Sequence, residues 1–375
     1  MTHPDVLVIG GGIIGLAIAR ELALQGLRVE VVERLPAGAE ASTTAAGMLS
    51  PVDEHSVPGP FLDACRASRD LWGSWVAAVE EETGLGLDYD TSGAFVVARD
   101  DAEESALERT ARVARELGEM VEDVDLDALR RWVPGISPDV RRALLLPGDH
   151  RVDNVQMCAA LAHTLERKGV LVHYSSEVER LEIRHPEGTV LIHGHHWRKE
   201  ARLLVIAAGA WSGLLPPLPP VPVRPVRGQM LLLGGVDWPW KGIVRAAANS
   251  YAVRRGATGL LIGSTLEEAG FDRHPTVAGI EGLLAFTHRL FPGLGQVRLE
   301  SVWAGLRPGT PDDLPILGHV PGWPAVLATG HFRNGILLAP WTARQVARMV
   351  LSGSAEAADP EVLAFHPARF PSNDN

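Results

Sequence analysis

Residues 5–33, "DVLVIGGGIIGLAIARELALQGLRVEVVE", decide the fold. The run 5–9 is apolar and of strand length, whereas 13–25 repeats its apolar side chains on one face at helical spacing. Residues 28–33 return to a strand pattern. Together they predict one β-α-β unit of about thirty residues. At its first junction Gly10, Gly12 and Gly15 spell G-x-G-x-x-G, and the second strand ends in an acid, Glu33.

Each of these positions has a physical reason. Gly10 permits a tight turn, Gly12 lets backbone approach a diphosphate, and Gly15 lets the helix pack on the strand. The free N–H groups and partial positive charge of the helix N-terminus suit phosphate. Glu33 would accept hydrogen bonds from a ribose diol and repel a 2′-phosphate, which disfavours NADP. The loop alone serves FAD and NAD equally. Two further features favour FAD. The small-residue loop "ASTTAAGMLSP" (41–51) offers hydroxyls and backbone N–H groups, with Ser42, Thr43, Ala46, Gly47 and Met48 as candidate contacts. "LLVIAAGAWSG" (203–213) ends a strand in a second small-residue turn, at Ala208 and Gly209.

Working outward, helix patterns cover 61–83, 102–118, 125–132, 154–168, 276–290 and 340–351, with Asp153 or Asn154 as an N-cap. Strand patterns cover 170–175, 178–184, 189–193, 202–207, 227–233, 243–246, 251–254, 259–263, 297–303 and 325–330. The Pro-rich stretch 214–225 marks a crossing between domains. The tail "PSNDN" is expected to be disordered. With 375 residues, 46% hydrophobic and 22% charged, the chain has material for two domains. The formal charge of −11 and the lack of any Lys/Arg block argue against nucleic acid or an acidic membrane surface as partner. No run reaches membrane-spanning length, no secretory leader is recognisable, and a cytoplasmic location is expected. Cys65 and Cys158 lie in helix patterns and read as small buried residues. "HGHH" (193–196) invites a metal reading, but its hairpin setting without a partner acid or cysteine reads as exposed turn histidines, and no metal is expected.

At this point "VIGGGIIGLAIARELALQG", "TTAAGMLSP", "VIAAGAWSG", "WAGLRPGTPDDLPILG" and "GHFRNGILLAP" are on the page. In this order they resemble the FAD-dependent amine and D-amino-acid oxidase superfamily, and within it the glycine oxidase branch of thiamine biosynthesis. The resemblance implies an α/β fold in which a Rossmann-like FAD-binding domain is interleaved with a substrate domain built on a mostly antiparallel sheet. The expected division is 1–85, 150–218 and 302–375 for FAD, and 86–149 and 219–301 for substrate. It implies non-covalent FAD, held by Ile13, Ile14, Glu33, Arg34, Ser42, Ala46, Gly47, Met48 and Val178. The stretch His331, Phe332, Arg333, Asn334, Gly335, Ile336 and Leu337 completes that set. It further implies oxidative deamination of glycine and other small amines with O2 reduced to H2O2, and a homotetramer. The substrate carboxylate falls to Arg307 in "GLRPG", with Arg333 as a second substrate-side arginine and Tyr251 as the active-site tyrosine.

The residue types suit these roles. A planar guanidinium pairs a carboxylate bidentately. Gly305, Pro308 and Gly309 would shape a rigid turn around Arg307. Composition alone also permits a surface arginine there, a loop-bracing role for Arg333, and a half-buried strand tyrosine at 251. No general base is evident, and none is needed if the substrate binds with a neutral amine. Two departures stand out. "RAAANS" (245–250) replaces the family's basic and aromatic residues ahead of the tyrosine, and no cysteine near Arg307 offers a covalent flavin link. A D-amino-acid or sarcosine oxidase or dehydrogenase is the neighbouring reading. A flavin-bound scaffold without turnover is the alternative of another class, although it would have no use for a carboxylate clamp.

Overall fold

A computed structural model describes residues 3–53, 56–184, 188–246, 250–354 and 358–370. The tail 371–375 and residues 247–249 of "RAAANS" lie outside the described residues. The β-α-β unit forms as read: strand Val6–Ile9, helix Ile13–Leu24, strand Val29–Val32. It nucleates a six-stranded sheet in the order Ile316–His319, Ala325–Thr329, Leu203–Ile206, Val6–Ile9, Val29–Val32, Leu171–His173. All neighbours are parallel except the first pair. Both faces of such a sheet must be covered, which explains its near-continuous apolar strands. Helices Ile13–Leu24, Pro60–Thr83, Asn154–Arg167 and Ala339–Ser352 cover one face, around Leu16, Trp72, Leu161 and Val346. An antiparallel three-stranded sheet, Arg180–Arg184, Thr189–His193 and Arg198–Ala201, covers the other through Leu181, Val190 and Ile192.

The second large sheet has eight strands, ordered Arg298–Gly309, Arg224–Gly234, Gly259–Gly263, Ser250–Arg255, Ile243–Ala246, Ala94–Ala98, Arg142–Leu146, Glu122–Asp123. One pair, Ile243–Ala246 with Ala94–Ala98, is parallel and the rest are antiparallel. Side chains alternate across a strand. Ala252, Leu260 and Ile262 therefore meet the Val277–Leu290 helix side with Trp238 and Phe291. Tyr251, Val253 and Leu261 face the opposite way, against Ala46 of the nucleotide-binding half.

Two expectations need correction. Gly305, Pro308 and Gly309 do not shape a turn: they belong to the Arg298–Gly309 strand, which after a register shift opposite Leu232 and Leu233 pairs continuously from Ser301 to Gly309 opposite Arg224. It is an edge strand, where the missing N–H of Pro308 costs no ladder bond. Residues 302–309, expected with the FAD-binding half, therefore run in the eight-stranded sheet. Among the described residues no helix is long and apolar enough to cross a membrane.

Candidate active site

The glycine loop shows why it is made of glycine. Gly10 has φ +111°, and a Cβ there would stand 2.4 Å from the Ala207 carbonyl oxygen. At Gly15 a Cβ would stand 1.9 Å from the Gly10 carbonyl oxygen, so helix and strand could not meet. The Ser42 hydroxyl accepts from the Ile13 N–H at 2.9 Å, and the Asn154 amide donates to the Ser42 carbonyl at 2.6 Å. Glu33 accepts from Gly11 N–H at 2.6 Å and Leu35 N–H at 2.8 Å, so this acid braces the loop as well as facing the cavity. The amides of Gly12 and Ile14 have no protein acceptor among the described residues. A bare glycine above a helix N-terminus with unused amides fits the diphosphate of a dinucleotide.

That loop opens into a cavity of about 690 Å³ between the two large sheets. Gly10, Gly12, Ile13, Ile14, Glu33 and Arg34 line it at one end. Ser42, Ala46, Gly47, Met48, Val178, Ala208 and Gly209 line its sides. His331, Phe332, Arg333, Gly335 and Ile336 line it with Tyr251 and Arg307. Four expected contacts are not on the wall. Gly15 lies beneath Gly10. Thr43 turns away to donate to the Gly38 carbonyl at 2.8 Å. Asn334 uses its backbone within the turn, accepting from Leu338 N–H at 2.8 Å. The Leu337 carbonyl accepts from Ser68 at 2.6 Å and Trp72 at 2.9 Å on the helix side.

Arg307 projects from its edge strand into this space across Gly228 of the neighbouring strand. A Cβ on Gly228 would lie 2.1 Å from Arg307 Nη1, so only glycine leaves room for the guanidinium. Nη2 donates to Ser264 Oγ at 2.7 Å and Nη1 to the Thr265 carbonyl at 3.2 Å. Behind them Glu267 is tied to Arg227 at 2.6 Å and to Gln229 at 2.7 Å. Among the described residues no carboxylate forms an ion pair with Arg307. Burial pushes its guanidinium below the ordinary value, Tyr251 opposes that through its hydroxyl, and the charge of Arg333 adds to it. A half-buried, fixed cation of this kind is costly to hold away from water unless an anion joins it. Tyr251 is 8% exposed and crosses Gly263, where a Cβ would stand 2.7 Å from its hydroxyl. Arg333 is exposed and reaches the cavity from its open side.

His331 is buried, and its Nε2 lies 3.0 Å from Thr342 Oγ1. Burial lowers its pKa to about 3, so the imidazole is neutral. Phe332 holds φ +45°, unusual for a residue with a side chain, and its N–H donates to the Pro308 carbonyl at 3.1 Å. That bond stitches the 331–338 turns onto the strand of Arg307.

Several wall residues escaped the sequence reading: Gly228, Ser264, Thr265, Leu266, Glu40 and Trp211. Trp211 sits inside the quoted "AAGAWSG", where an aromatic in a small-residue turn was the available signal. Its ring carries Arg34 at 3.7 Å, and Arg34 pairs with Glu40 at 2.7 Å. Ser264 and Thr265 follow a strand without any local mark. The "HGHH" stretch lies in the turn after Thr189–His193 as expected, but acids do stand near it, Glu182 at 3.3 Å from His193 and Glu179 at 3.5 Å from His195. Among the described residues no group of three or more His, Cys, Asp or Glu could hold a metal. Cys65 and Cys158 are free and buried.

The fold and this cavity define a flavin-dependent oxidoreductase, and residues 5–349 match the family model described as FAD dependent oxidoreductase: the chain belongs to that family. FAD is accordingly its cofactor. A glycine oxidase of Pseudomonas aeruginosa is 37% identical over 96% of this chain and 98% of its own length. The "Bifunctional protein ThiO/ThiG" of Synechocystis is 37% identical over the whole chain, which spans only 55% of that relative. The chain thus covers about half the length of the bifunctional relatives it matches. The crystal structure of glycine oxidase from Geobacillus kaustophilus superposes with a TM-score of 0.88 at 30% identity, covering 100% of both chains.

Proposed function

We propose that the protein oxidises glycine and other small primary or secondary amines, including sarcosine and small D-amino acids. The products are the imine or oxo acid and H2O2, and dehydroglycine would feed the thiazole of thiamine. The observation that carries this is Arg307: a half-buried guanidinium without an ion-pair partner among the described residues, fixed by Ser264 and Thr265 and turned into the cofactor cavity. Its planar fork would take the substrate carboxylate bidentately, an interaction strengthened where water is excluded. The Tyr251 hydroxyl would donate to the same carboxylate, and Arg333 would guard it from the open side. FAD, held along residues 10–14, 33–34, 42–48 and 331–336, supplies the two-electron acceptor for the substrate Cα–H bond. Neutral His331 adds no positive charge to that cavity.

We assign no general base among the described wall residues, so the substrate would bind with its amine neutral. The homology to glycine oxidases and to proteins named ThiO/ThiG supports the substrate and the thiamine role. A homo-oligomer, a tetramer by resemblance, belongs to the same proposal. The outer face of the Val277–Leu290 helix supports it, with Val277 and Leu284 exposed beside Val302 of the edge strand Arg298–Gly309. Light scattering would test it.

The experiment for function is a visible spectrum followed by a peroxide panel on glycine, sarcosine and D-alanine. Peroxide with glycine supports the reading. Peroxide only with D-alanine or sarcosine favours the neighbouring oxidases, and dye reduction without peroxide favours a dehydrogenase. A yellow protein inert toward all three overturns it in favour of a scaffold.

A further inference from the structure

The strand that carries Tyr251 also carries Arg255, and alternation puts both on the cavity-facing side of the eight-stranded sheet. Arg255 reaches out of its own sheet. Its Nη2 donates to Asn154 Oδ1 at 2.7 Å, and its Nη1 pairs with Asp153, the N-cap of helix Asn154–Arg167. Asn154 has no exposed surface. Its amide nitrogen donates to the Ser42 carbonyl, and Ser42 in turn accepts from the Ile13 N–H at the mouth of the glycine loop. Gly47 closes the same arrangement: its carbonyl accepts from Val152 N–H at 2.9 Å, and a Cβ there would stand 1.9 Å from the Val152 oxygen.

We infer that Arg255 and Asn154 are positioning residues for FAD: they hold the 42–47 loop against the first turn of helix Ile13–Leu24, so that the cofactor meets a preformed cradle. Neither lines the cavity, so the effect passes through Ser42 and the loop backbone. The physical ground is preorganisation. A loop of small residues has many conformations, and fixing it before the ligand arrives removes that cost from binding. An arginine suits the task because its fork can hold Asp153 and Asn154 together, and both acceptors are largely out of water. The inference concerns cofactor affinity and stands whether or not glycine is the substrate.

Arg254 provides the internal control. It is the neighbouring residue on the opposite face, 4% exposed, and spends its guanidinium on the carbonyls of Val236 and Ala257. The test measures flavin release from the holoprotein on dilution and the Kd for FAD of the apoprotein, by flavin fluorescence, alongside Tm. Arg255→Met and Asn154→Ala should each raise the Kd roughly tenfold, the equivalent of one hydrogen bond to a charged group. The double variant should lose less than the sum of the two singles, because Asn154 is one of the two routes from Arg255 to the loop, the other being the Ala46 carbonyl at 3.5 Å. Arg255→Lys, which can keep one of the two contacts, should raise it roughly threefold and serves if the methionine variant fails to fold. Arg254→Met should lower Tm comparably and leave the Kd within about twofold. Arg255 variants that bind FAD as tightly as wild type overturn the inference. So does an Arg254→Met variant that loses as much affinity as Arg255→Met, and so do additive losses in the double variant.

Discussion

Gly228→Ala tests the carboxylate clamp without touching it. The added Cβ would stand 2.1 Å from Arg307 Nη1, against an ordinary contact of 3.4 Å or more, so the guanidinium must withdraw by about 1.3 Å. The obstacle is the tip of a flexible side chain, and the backbone need not move. Withdrawal breaks the bonds to Ser264 and Thr265, each a bond from a charged group contributing about 1.5 kcal/mol. Replacing glycine by alanine in a strand returns about 0.5–1 kcal/mol. Net destabilisation is therefore about 2 kcal/mol, a Tm loss of roughly 2–3 °C for a chain of this size. Activity should suffer far more, since a 1 Å misplacement of a positioning group costs roughly 10²-fold. The assay is kcat/KM for the best amine of the peroxide panel, with the Kd of a small carboxylate such as glycolate read from its perturbation of the flavin band. Both should weaken by a similar factor while FAD content stays normal. An alanine variant with wild-type kcat/KM and wild-type glycolate affinity would refute the placement of Arg307 as the clamp.

Gly15→Ala should behave in the opposite way, because its Cβ would meet the Gly10 carbonyl oxygen at 1.9 Å and backbone cannot swing aside; a loss of about 3 kcal/mol in urea unfolding is expected. If the substrate binds with a neutral amine, kcat/KM should rise with pH through the substrate amine's pKa, and a profile flat across that range removes the mechanism. The His331 pKa is about 3 when folded and ordinarily about 6.5. Between those values the unfolded chain takes up a proton that the folded one refuses. This contribution to stability is complete above pH 6.5 and is lost as pH falls, by about 1.4 kcal/mol per unit. His331→Gln should therefore flatten the decline of Tm between pH 6.5 and 4.5, and an unchanged decline counts against a neutral buried imidazole.

The sequence by itself determined what depends on neighbours along the chain. The β-α-β unit, its three glycines and the acid at 33 were legible because turn stereochemistry, helix spacing and strand alternation act over a few residues. Of the segments that approach the cofactor cavity, 41–48 and 208–209 were legible as small-residue turns, whereas 331–336 (HFRNGI) was reached only through the resemblance of "GHFRNGILLAP" to the family. Tertiary structure decided the rest. "GLRPG" has the composition of a turn, yet pairing with Arg224–Gly234 draws it into a strand, and an edge position tolerates its proline. The partners of Arg307, at Ser264 and Thr265, come from another strand end about forty positions earlier in the chain. Gly228 shows no local reason to be glycine until the guanidinium of a neighbouring strand crosses it. Thr43 and Leu337, adjacent to true wall residues, turn away because their hydrogen-bond partners lie behind the wall. Spacing along a chain fixes which side chains share a face, but the atoms that meet across that face belong to segments brought together only by packing.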